Sequence, residues 1–398
     1  MSNLSFQNTE VAFAHKSDAQ LKKASLLFKS FNYNWLIKNG DRLANLAIRL
    51  GFKSVIKNTI FEQFCGGEDI AECEMTIQTL SQSRIGTILD YSVEGEEIEE
   101  NFKYTHAELL KTISKAAGNE SIPFSVFKVT GIIAFHTLEK ASDSLKVNPT
   151  LSVDEITLDL PNEDLKKSWT LGVERFHSLA KSAAENQVRL FIDAEESWIQ
   201  PAIDRLAEEA MKEFNIKRAI IFNTIQLYRH DRLAYLKHQI ESTQHHLGFK
   251  LVRGAYMEKE RARAEEMGYE DPIQPNKEAT DRDYNQAVTV CIENSNRVEV
   301  CIGTHNEDSS LLGVSLMNAH SLDKGDKRVH FSQLLGMSDH ISYNLAQAGY
   351  QVCKYVPYGP VKAVIPYLTR RAQENSGMAG QMGRELQLIQ TELKRRNK

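Results

Sequence analysis

The chain has 398 residues, of which 41% are hydrophobic and 25% charged, and its formal net charge is -5 at pH 7. These values are typical of a soluble globular protein that is long enough for one large domain with an extension. The slight acidic excess gives no basic surface of the kind that binds nucleic acid or anionic membranes.

The cysteines and the apolar runs bear on the compartment of the protein. Five cysteines form no C-x-x-C pair and leave one over, which is typical of reduced thiols in a cytosol rather than of a disulfide framework. No apolar run approaches the roughly 20 residues that span a bilayer, and the N-terminus lacks the patterns of signal and transit peptides. We therefore expect a cytoplasmic protein without a transmembrane segment, with peripheral contact at the inner membrane left open.

Residues 1–83 predict an N-terminal helical arm. Apolar residues recur with helical spacing in three segments, 19–31, 35–50 and 61–82. The sequences N-G-D and C-G-G interrupt this pattern, as glycine-containing turns do. The arm carries no catalytic pattern, so we place the catalytic domain at residues 84–398.

From residue 84 onward, short apolar runs alternate with helical segments. The runs lie at 85–93, 124–130, 189–194, 219–224, 250–255, 298–303, 328–333 and 352–356. Strands that alternate with helices predict a parallel sheet, and eight such units favour a closed (β/α)8 barrel, although periodicity alone leaves an open sheet possible. In that barrel, functional groups lie at the C-terminal ends of the strands. No glycine-rich dinucleotide motif follows a strand, and there is no P-loop.

The segment after the eighth run combines two arginines with a carboxylate. It reads Y-V-P-Y-G-P-V-K-A-V-I-P-Y-L-T-R-R-A-Q-E-N, with Arg370 and Arg371 adjacent and Glu374 three to four residues later. On a helix these three side chains share one broad face. Two guanidinium groups suit a carboxylate ligand because each presents paired donors, whereas a solvated charged face is the alternative explanation.

Y-V-P-Y-G followed by Y-L-x-R-R-x-x-E-N resembles the last strand and helix of the proline dehydrogenase family, flavoenzymes that oxidise proline to pyrroline-5-carboxylate. Further matches occur in the family's order, among them F-E-Q-F-C-G-G-E-D in the arm, so the resemblance extends from about residue 60 to residue 398. The chain looks like the single-function form found in eukaryotes and some bacteria. The resemblance selects the barrel, in a distorted form, and implies FAD as cofactor, L-proline as substrate, a quinone as electron acceptor and a separate pyrroline-5-carboxylate dehydrogenase.

The resemblance also implies which residues surround the substrate. Lys128, buried in an apolar run, matches a family lysine near the substrate carboxylate, and Asp193 on the next run is predicted to pair with it and orient it. Arg370 and Arg371 would hold the carboxylate together with Lys128. The apolar slot for the ring would be formed by Tyr256, Leu334 and Tyr355, and Glu94 would pair with the second arginine. Tyr355 favours proline, because relatives that act on hydroxyproline have a smaller residue there.

The cofactor contacts follow from the same resemblance. A side-chain amide after the fourth run contacts the flavin ring, and either Asn223 or Gln226 fits that position. Lys250 and Arg253 bring positive charge to the flavin, which would stabilise its reduced form. In the bifunctional branch an arginine stands at the first of these positions and a lysine at the second. The remaining implied cofactor contacts are Thr304, His305, Asn306 and Glu374. We expect no metal site, since the histidine pair at 245–246 has no matching ligands.

These assignments predict flavin-dependent oxidation of L-proline, the first step of proline catabolism, by hydride transfer from the ring carbon C5 to N5 of FAD. The catalytic residues would be Lys128, Asp193, Tyr355, Arg370 and Arg371. Three alternatives stay open: oxidation of hydroxyproline, another flavin barrel such as a folate reductase with a nicotinamide donor, and a barrel without catalytic activity.

Overall fold

The structure is a computed structural model that describes residues 4–31, 33, 35, 39–93, 97–377 and 379–397, with the side chains of 374–382 outside the description. Eight strands form a closed barrel in sequence order, which confirms the predicted (β/α)8 fold. They are β1 Ile85–Tyr91, β2 Phe124–Lys128, β3 Arg189–Asp193, β4 Ile221–Gln226, β5 Leu247–Val252, β6 Val298–Gly303, β7 Val329–Leu334 and β8 Val352–Tyr358.

Helices connect the strands and form the arm. Before β1 lie α1 Thr9–Phe13, α2 Asp18–Ser30, α3 Gly40–Arg49, α4 Lys53–Ile56, a π-helix Lys57–Phe61, α5 Glu62–Phe64 and α6 Glu74–Gln82. Between β1 and β4 lie α7 Glu99–Ala116, a 3-10 turn Val129–Gly131, α8 Phe135–Val147, α9 Val153–Asp159, α10 Glu163–Glu185 and α11 Gln200–Phe214. The later helices are α12 Arg232–Ser242, α13 Met257–Met267, α14 Lys277–Glu293, α15 Glu307–Ala319, α16 Asp339–Gln347, α17 Ile365–Gly377 and α18 Ala379–Arg396.

The predicted third helical segment of the arm is interrupted. α5 ends at Phe64, and Gly66 donates its backbone N–H to the carbonyl of Pro357 on β8 at 2.8 Å. A side chain at position 66 would lie 2.5 Å from Val356, so only glycine fits this approach. The predicted second segment falls partly on residues outside the description, and the structure shows helix there from Gly40 to Arg49.

The chain divides into two compact units, Met1–Gly95 with Ser332–Lys398, and Glu96–Phe331. In the first unit, apolar residues of α1, α2 and α5 form one buried cluster with residues of α17 and α18, among them Phe28, Phe64 and Leu368. In the second unit, the rings of Phe124 and Phe191 stack at 4.3 Å, so aromatic side chains fill the barrel interior between β2 and β3. The predicted boundary between arm and barrel at residue 83 stays a prediction.

Among the described residues, no helix combines the length and the apolar character needed to cross a membrane.

Candidate active site

The strand register shows which predicted site residues share a face of the sheet in the second unit. Lys128 on β2 is paired with Asp193 on β3, and Thr224 on β4 is paired with Lys250 on β5. Paired residues on neighbouring strands point to the same face, and alternate residues along a strand do so as well. The ammonium of Lys250 lies 5.3 Å from the ring centroid of Phe191, an interior residue. Lys128, Asp193 and Lys250 therefore all belong to the interior face, near the C-terminal ends of their strands.

Asp193 forms an ion pair with Lys250, and its predicted pairing with Lys128 stays a prediction. The side chains of Lys250 and Asp193 are 7% and 13% exposed, so the pair is largely removed from water. The lysine side chain reaches across β4, where the residue at that level is the short Thr224. Sequence spacing favoured a lysine partner on the neighbouring strand, because spacing does not show how far the Lys250 side chain extends. An isolated charge at such depth is costly, and each partner therefore keeps the other ionised.

Glu195 is a second carboxyl at this end of the barrel, and sequence reasoning gave it no role. It is 4% exposed and accepts hydrogen bonds from the Thr130 N–H at 3.0 Å and the Thr130 hydroxyl at 2.6 Å. Burial raises the pKa of Glu195 to about 7, although these hydrogen bonds and the positive charge of Lys128 act to lower it. The positive charge of Lys128 thus acts on the Glu195 carboxyl group, whose pKa is close to neutral pH. The D-A-E-E sequence after the third run was the signal that could have identified it.

The fourth strand separates the two candidate amides. Asn223 is fully buried and donates to the Asp204 carboxylate at 2.9 Å and to the Tyr235 hydroxyl at 3.3 Å, so it faces the surrounding helices rather than the barrel interior. Gln226 lies on the face of Thr224 and Lys250, is 2% exposed, and its carbonyl oxygen has no hydrogen-bond partner among the described residues. A buried amide oxygen without a partner is unfavourable unless a ligand supplies a donor. The geometry therefore favours Gln226 as the ligand contact.

Arg253 lies beside the start of α15. Its guanidinium pairs with the Asp281 carboxylate at 2.7 Å and donates to the hydroxyls of Thr304 at 2.7 Å and Ser309 at 3.0 Å. The side chain of Asn306 caps α15 by accepting the Ser309 N–H at 2.8 Å. A helix N-terminus next to an arginine suits an anion such as a phosphate. The structure thus brings three of the predicted cofactor residues together, at one helix end.

Two further predicted contacts lie on loops of the same unit. His305 is partly buried and lies between Thr304 and the helix cap at Asn306. Tyr256 is partly buried at the start of α13, and the ammonium of Lys259 lies 5.8 Å from the centroid of its ring. Neither side chain belongs to a strand, so their positions depend on the loops after β5 and β6.

The first unit holds the other predicted substrate residues. Leu334 ends β7, and the N–H of the next residue, Leu335, donates to the Tyr355 carbonyl on β8 at 2.8 Å. Arg370 and Arg371 lie on α17 and are partly buried, and the Arg371 guanidinium is 5.1 Å from the ring centroid of Tyr367. Their partial burial disfavours the alternative of a fully solvated charged face.

Two predicted acidic partners cannot be placed. Glu94 lies outside the described residues, and so does the side chain of Glu374, whose backbone continues α17. Their predicted contacts with the arginines and the flavin stay predictions. Among the residues that are described, no group of three or more His, Cys, Asp or Glu side chains could hold a metal ion.

Comparisons with known proteins show the family of the chain. A sequence model described as "Proline dehydrogenase" matches residues 73–384. The chain belongs to the proline dehydrogenase family. It is 32% identical to "Proline dehydrogenase 1, mitochondrial" of Dictyostelium discoideum over 98% of this chain and 74% of that protein. It is also 31% identical to "Hydroxyproline dehydrogenase" of Xenopus laevis, over 99% of this chain and 90% of that protein.

A solved structure supports the fold independently. Proline utilization A from Bdellovibrio bacteriovorus, inactivated by N-propargylglycine, superposes with a TM-score of 0.71 over 94% of this chain. The sequence identity is 17%, and the match covers 41% of that longer chain. At this identity the similarity establishes the fold and nothing finer.

Proposed function

We propose that this member of the proline dehydrogenase family oxidises L-proline to 1-pyrroline-5-carboxylate with FAD as the hydride acceptor. The observation that carries the proposal is the interior group at the C-terminal ends of β3 to β5. In it, a buried lysine–aspartate pair shares the interior face with an amide oxygen that has no partner among the described residues. The family match from residue 73 to residue 384 defines the reaction class for that group.

The residues around this group fit a flavin dinucleotide. Gln226 and Lys250 would contact the flavin ring, where a donor and a positive charge suit the polar edge of the ring. Arg253, Thr304 and Asn306 would receive the pyrophosphate at the start of α15, and His305 would lie beside it. FAD supplies a hydride acceptor when it is bound. Lys250, kept ionised by Asp193, would place positive charge where negative charge increases on reduction.

The substrate contacts that the family resemblance implies are part of the same proposal. Arg370, Arg371 and Lys128 would pair with the carboxylate, because paired guanidinium donors match its two oxygens. Glu94 and Glu374 would orient the two arginines. The apolar ring would be enclosed by Tyr256, Leu334 and Tyr355. A cationic, buried environment disfavours the ammonium form of the substrate amine, so no dedicated base would be required.

A second candidate substrate is hydroxyproline, since one relative that spans almost the whole chain carries that name. Tyr355 favours proline, because its bulk would occupy the space that the ring hydroxyl needs. For the electrons we propose a quinone as acceptor, and for the product a separate pyrroline-5-carboxylate dehydrogenase. The cytoplasmic location, with peripheral contact at a membrane, also remains our proposal.

The spectrum of the purified protein tests the function directly. We expect a flavin spectrum that bleaches when L-proline is added in the absence of oxygen and acceptor. Bleaching by a nicotinamide donor instead would favour a folate-reductase type of barrel. A protein that binds no flavin under any condition would favour a barrel without catalytic activity.

A further inference from the structure

Lys354 is a buried lysine next to the proposed specificity residue Tyr355. Its side chain is 1% exposed and its ammonium lies 2.9 Å from the Asp339 carboxylate. The same ammonium donates to the backbone carbonyls of Leu334, at 3.3 Å, and Met337. Neighbouring residues of a strand point to opposite faces, so the Lys354 side chain lies on the face of β8 opposite to the side chain of Tyr355. A charge at this depth is tolerated only because all of its donors find acceptors.

The carbonyls that Lys354 binds lie on either side of the turn between β7 and α16. Two residues of this turn adopt left-handed backbone conformations, Gly336 with φ 74° and Ser338 with φ 52°. The Met337 N–H donates to the Leu334 carbonyl at 3.2 Å and so closes the turn. A non-glycine residue in this conformation persists only where its surroundings hold it. Lys354 therefore constrains the turn that fixes the end of β7, where Leu334 stands.

The N-terminal arm contacts this turn and α16 at three points. The Lys16 ammonium lies 3.0 Å from the second oxygen of the Asp339 carboxylate, and the His15 ring stacks on Tyr343 of α16 at 4.0 Å. Farther along the arm, the Gln63 amide donates to the Gly336 carbonyl at 2.9 Å. Asp339 is thus held between one lysine of the arm and one lysine of β8.

We propose that Asp339 and Lys354 are positioning residues for the substrate wall formed by Leu334 and Tyr355, and that the arm adjusts this wall through Lys16. The proposal rests on the proposed function only in that these two residues contact the proline ring. Without Lys16, the negative charge of Asp339 is balanced by the Lys354 ammonium alone. The carboxylate then draws that ammonium away from the Leu334 carbonyl. The wall then loses its fixed position, although no residue that touches the substrate has changed.

Lys16→Met tests this proposal. A wall that contacts the ring equally in the ground and transition states affects KM rather than kcat, so we expect KM for proline to rise about three- to tenfold and kcat to change less than about twofold. Inhibition by cyclopentanecarboxylate should weaken by a similar factor, whereas inhibition by acetate, which has no ring, should stay unchanged. Lys16→Arg keeps the charge and should restore the wild-type values.

Lys23→Met is the matched control. Lys23 belongs to the same arm and forms an ion pair of similar length, but its partner is Glu62 rather than Asp339 and its side chain is 42% exposed. We expect no change in KM for this variant. A Lys16→Met enzyme with unchanged KM and reduced kcat would overturn the proposal, since loss of folded protein lowers the active fraction without altering KM.

Hydrogen exchange separates this proposal from the proposed function. The backbone amides of residues 334–338 should exchange faster in Lys16→Met than in Lys23→Met, with no substrate or acceptor present. Equal exchange in the two variants would overturn the role of Lys16, even if proline is oxidised. Faster exchange in a protein that does not oxidise proline would contradict the proposed function and leave the coupling of arm and turn standing.

Discussion

Asn223 and Gln226 lie on opposite faces of the fourth strand, and the face decides which of them can contact a ligand. Both are buried amides of the fourth strand, but one faces the helices and has protein partners, whereas the other faces the interior and has an oxygen without one in the described structure. The sequence prediction left both open because the family resemblance slips between the two positions, and its fourth run ended at residue 224, two residues before the observed end at Gln226. Once the strand is extended, alternation assigns each amide to a face.

Exchanging each amide for an apolar residue of similar shape tests that assignment. Gln226→Met should leave the free energy of unfolding of the apoprotein within about 1 kcal/mol of wild type, because the amide oxygen loses no protein partner. Asn223→Leu should cost about 1–3 kcal/mol, because Asp204 loses a donor in a buried site. The flavin absorbance per protein should fall in Gln226→Met. Urea unfolding and absorbance spectra measure both effects, and a flavin loss confined to Asn223→Leu would reverse the assignment.

Tyr355→Ser tests the substrate preference at the same scale. Removing the ring opens space beside the substrate, so the ratio of kcat/KM for hydroxyproline to that for proline should rise about tenfold or more. Tyr355→Phe keeps the ring and should retain the wild-type ratio. The competition is measured with both substrates under one set of conditions. An unchanged ratio in the serine variant would remove Tyr355 from the specificity role.

Individual site residues could be predicted only as far as strand order and resemblance reach. The register places Lys128, Asp193 and Lys250 on the interior face, near the strand ends at which the barrel was expected to carry its functional groups. The ion pair of Asp193 with Lys250 was not predicted, because side-chain length across an intervening strand has no signature in spacing. The cluster of Arg253 with Thr304 was not foreseen as a contact, since it joins the ends of two different strands.

At the scale of elements, all eight strands were found but their ends were less certain. The sixth strand has the predicted bounds, whereas the fifth begins three residues earlier than predicted and ends at Val252. Its early end has a local cause at Gly254, where φ is 139° and the backbone passes against the ring of Tyr228. The glycine in this apolar run thus marks the end of the strand. Period-two alternation alone does not show that end, because the pattern continues through the glycine.

Gly254→Ala tests this account of the β5 end. An added Cβ would lie 2.4 Å from the Tyr228 ring in a backbone conformation that L residues rarely adopt, so we expect a loss of about 1–3 kcal/mol or more in the free energy of unfolding. Gly268→Ala is the control, because its φ of 71° is also positive but no atom of the described residues lies within 4 Å of an added Cβ. That variant should lose about 1–2 kcal/mol. Equal losses in urea unfolding would show that the contact with Tyr228 is unimportant.

For the whole molecule, the fold class could be predicted because eight short runs alternate with helical segments and the family's motifs occur in order. The arm's connection to the barrel wall could not. His15 and Lys16 precede the start of α2 and are separated from Asp339 by more than three hundred residues, so no local pattern relates them. Only packing in the folded chain brings them to one carboxylate, which is why the sequence left the role of the arm unassigned.

The pH dependence of stability follows from this buried group. Burial lowers the pKa of His15 from 6.5 to about 4, with smaller opposing and reinforcing effects from Asp339 and from Lys16, Lys354 and Arg396. Between these two pH values the unfolded chain binds more protons at this histidine than the folded chain does. Stability therefore decreases as the pH falls from 6.5 toward 4, by about 2–3 kcal/mol for this group.

Other buried groups contribute to the same curve, so the wild-type profile alone cannot isolate His15. The pKa of His330 is lowered by burial and acts in the same direction, whereas the raised pKa of Glu195, about 7, makes the folded state more stable toward acid pH between 4.5 and 7. His15→Gln removes the contribution of His15 to the pH dependence of stability and leaves the contributions of the other groups. When the pH is lowered from 6.5 to 4.5, the free energy of unfolding of this variant should end about 2–3 kcal/mol higher, relative to its value at pH 6.5, than that of wild type. A pH dependence in His15→Gln equal to that of wild type would show that His15 is not kept neutral by its burial against α16.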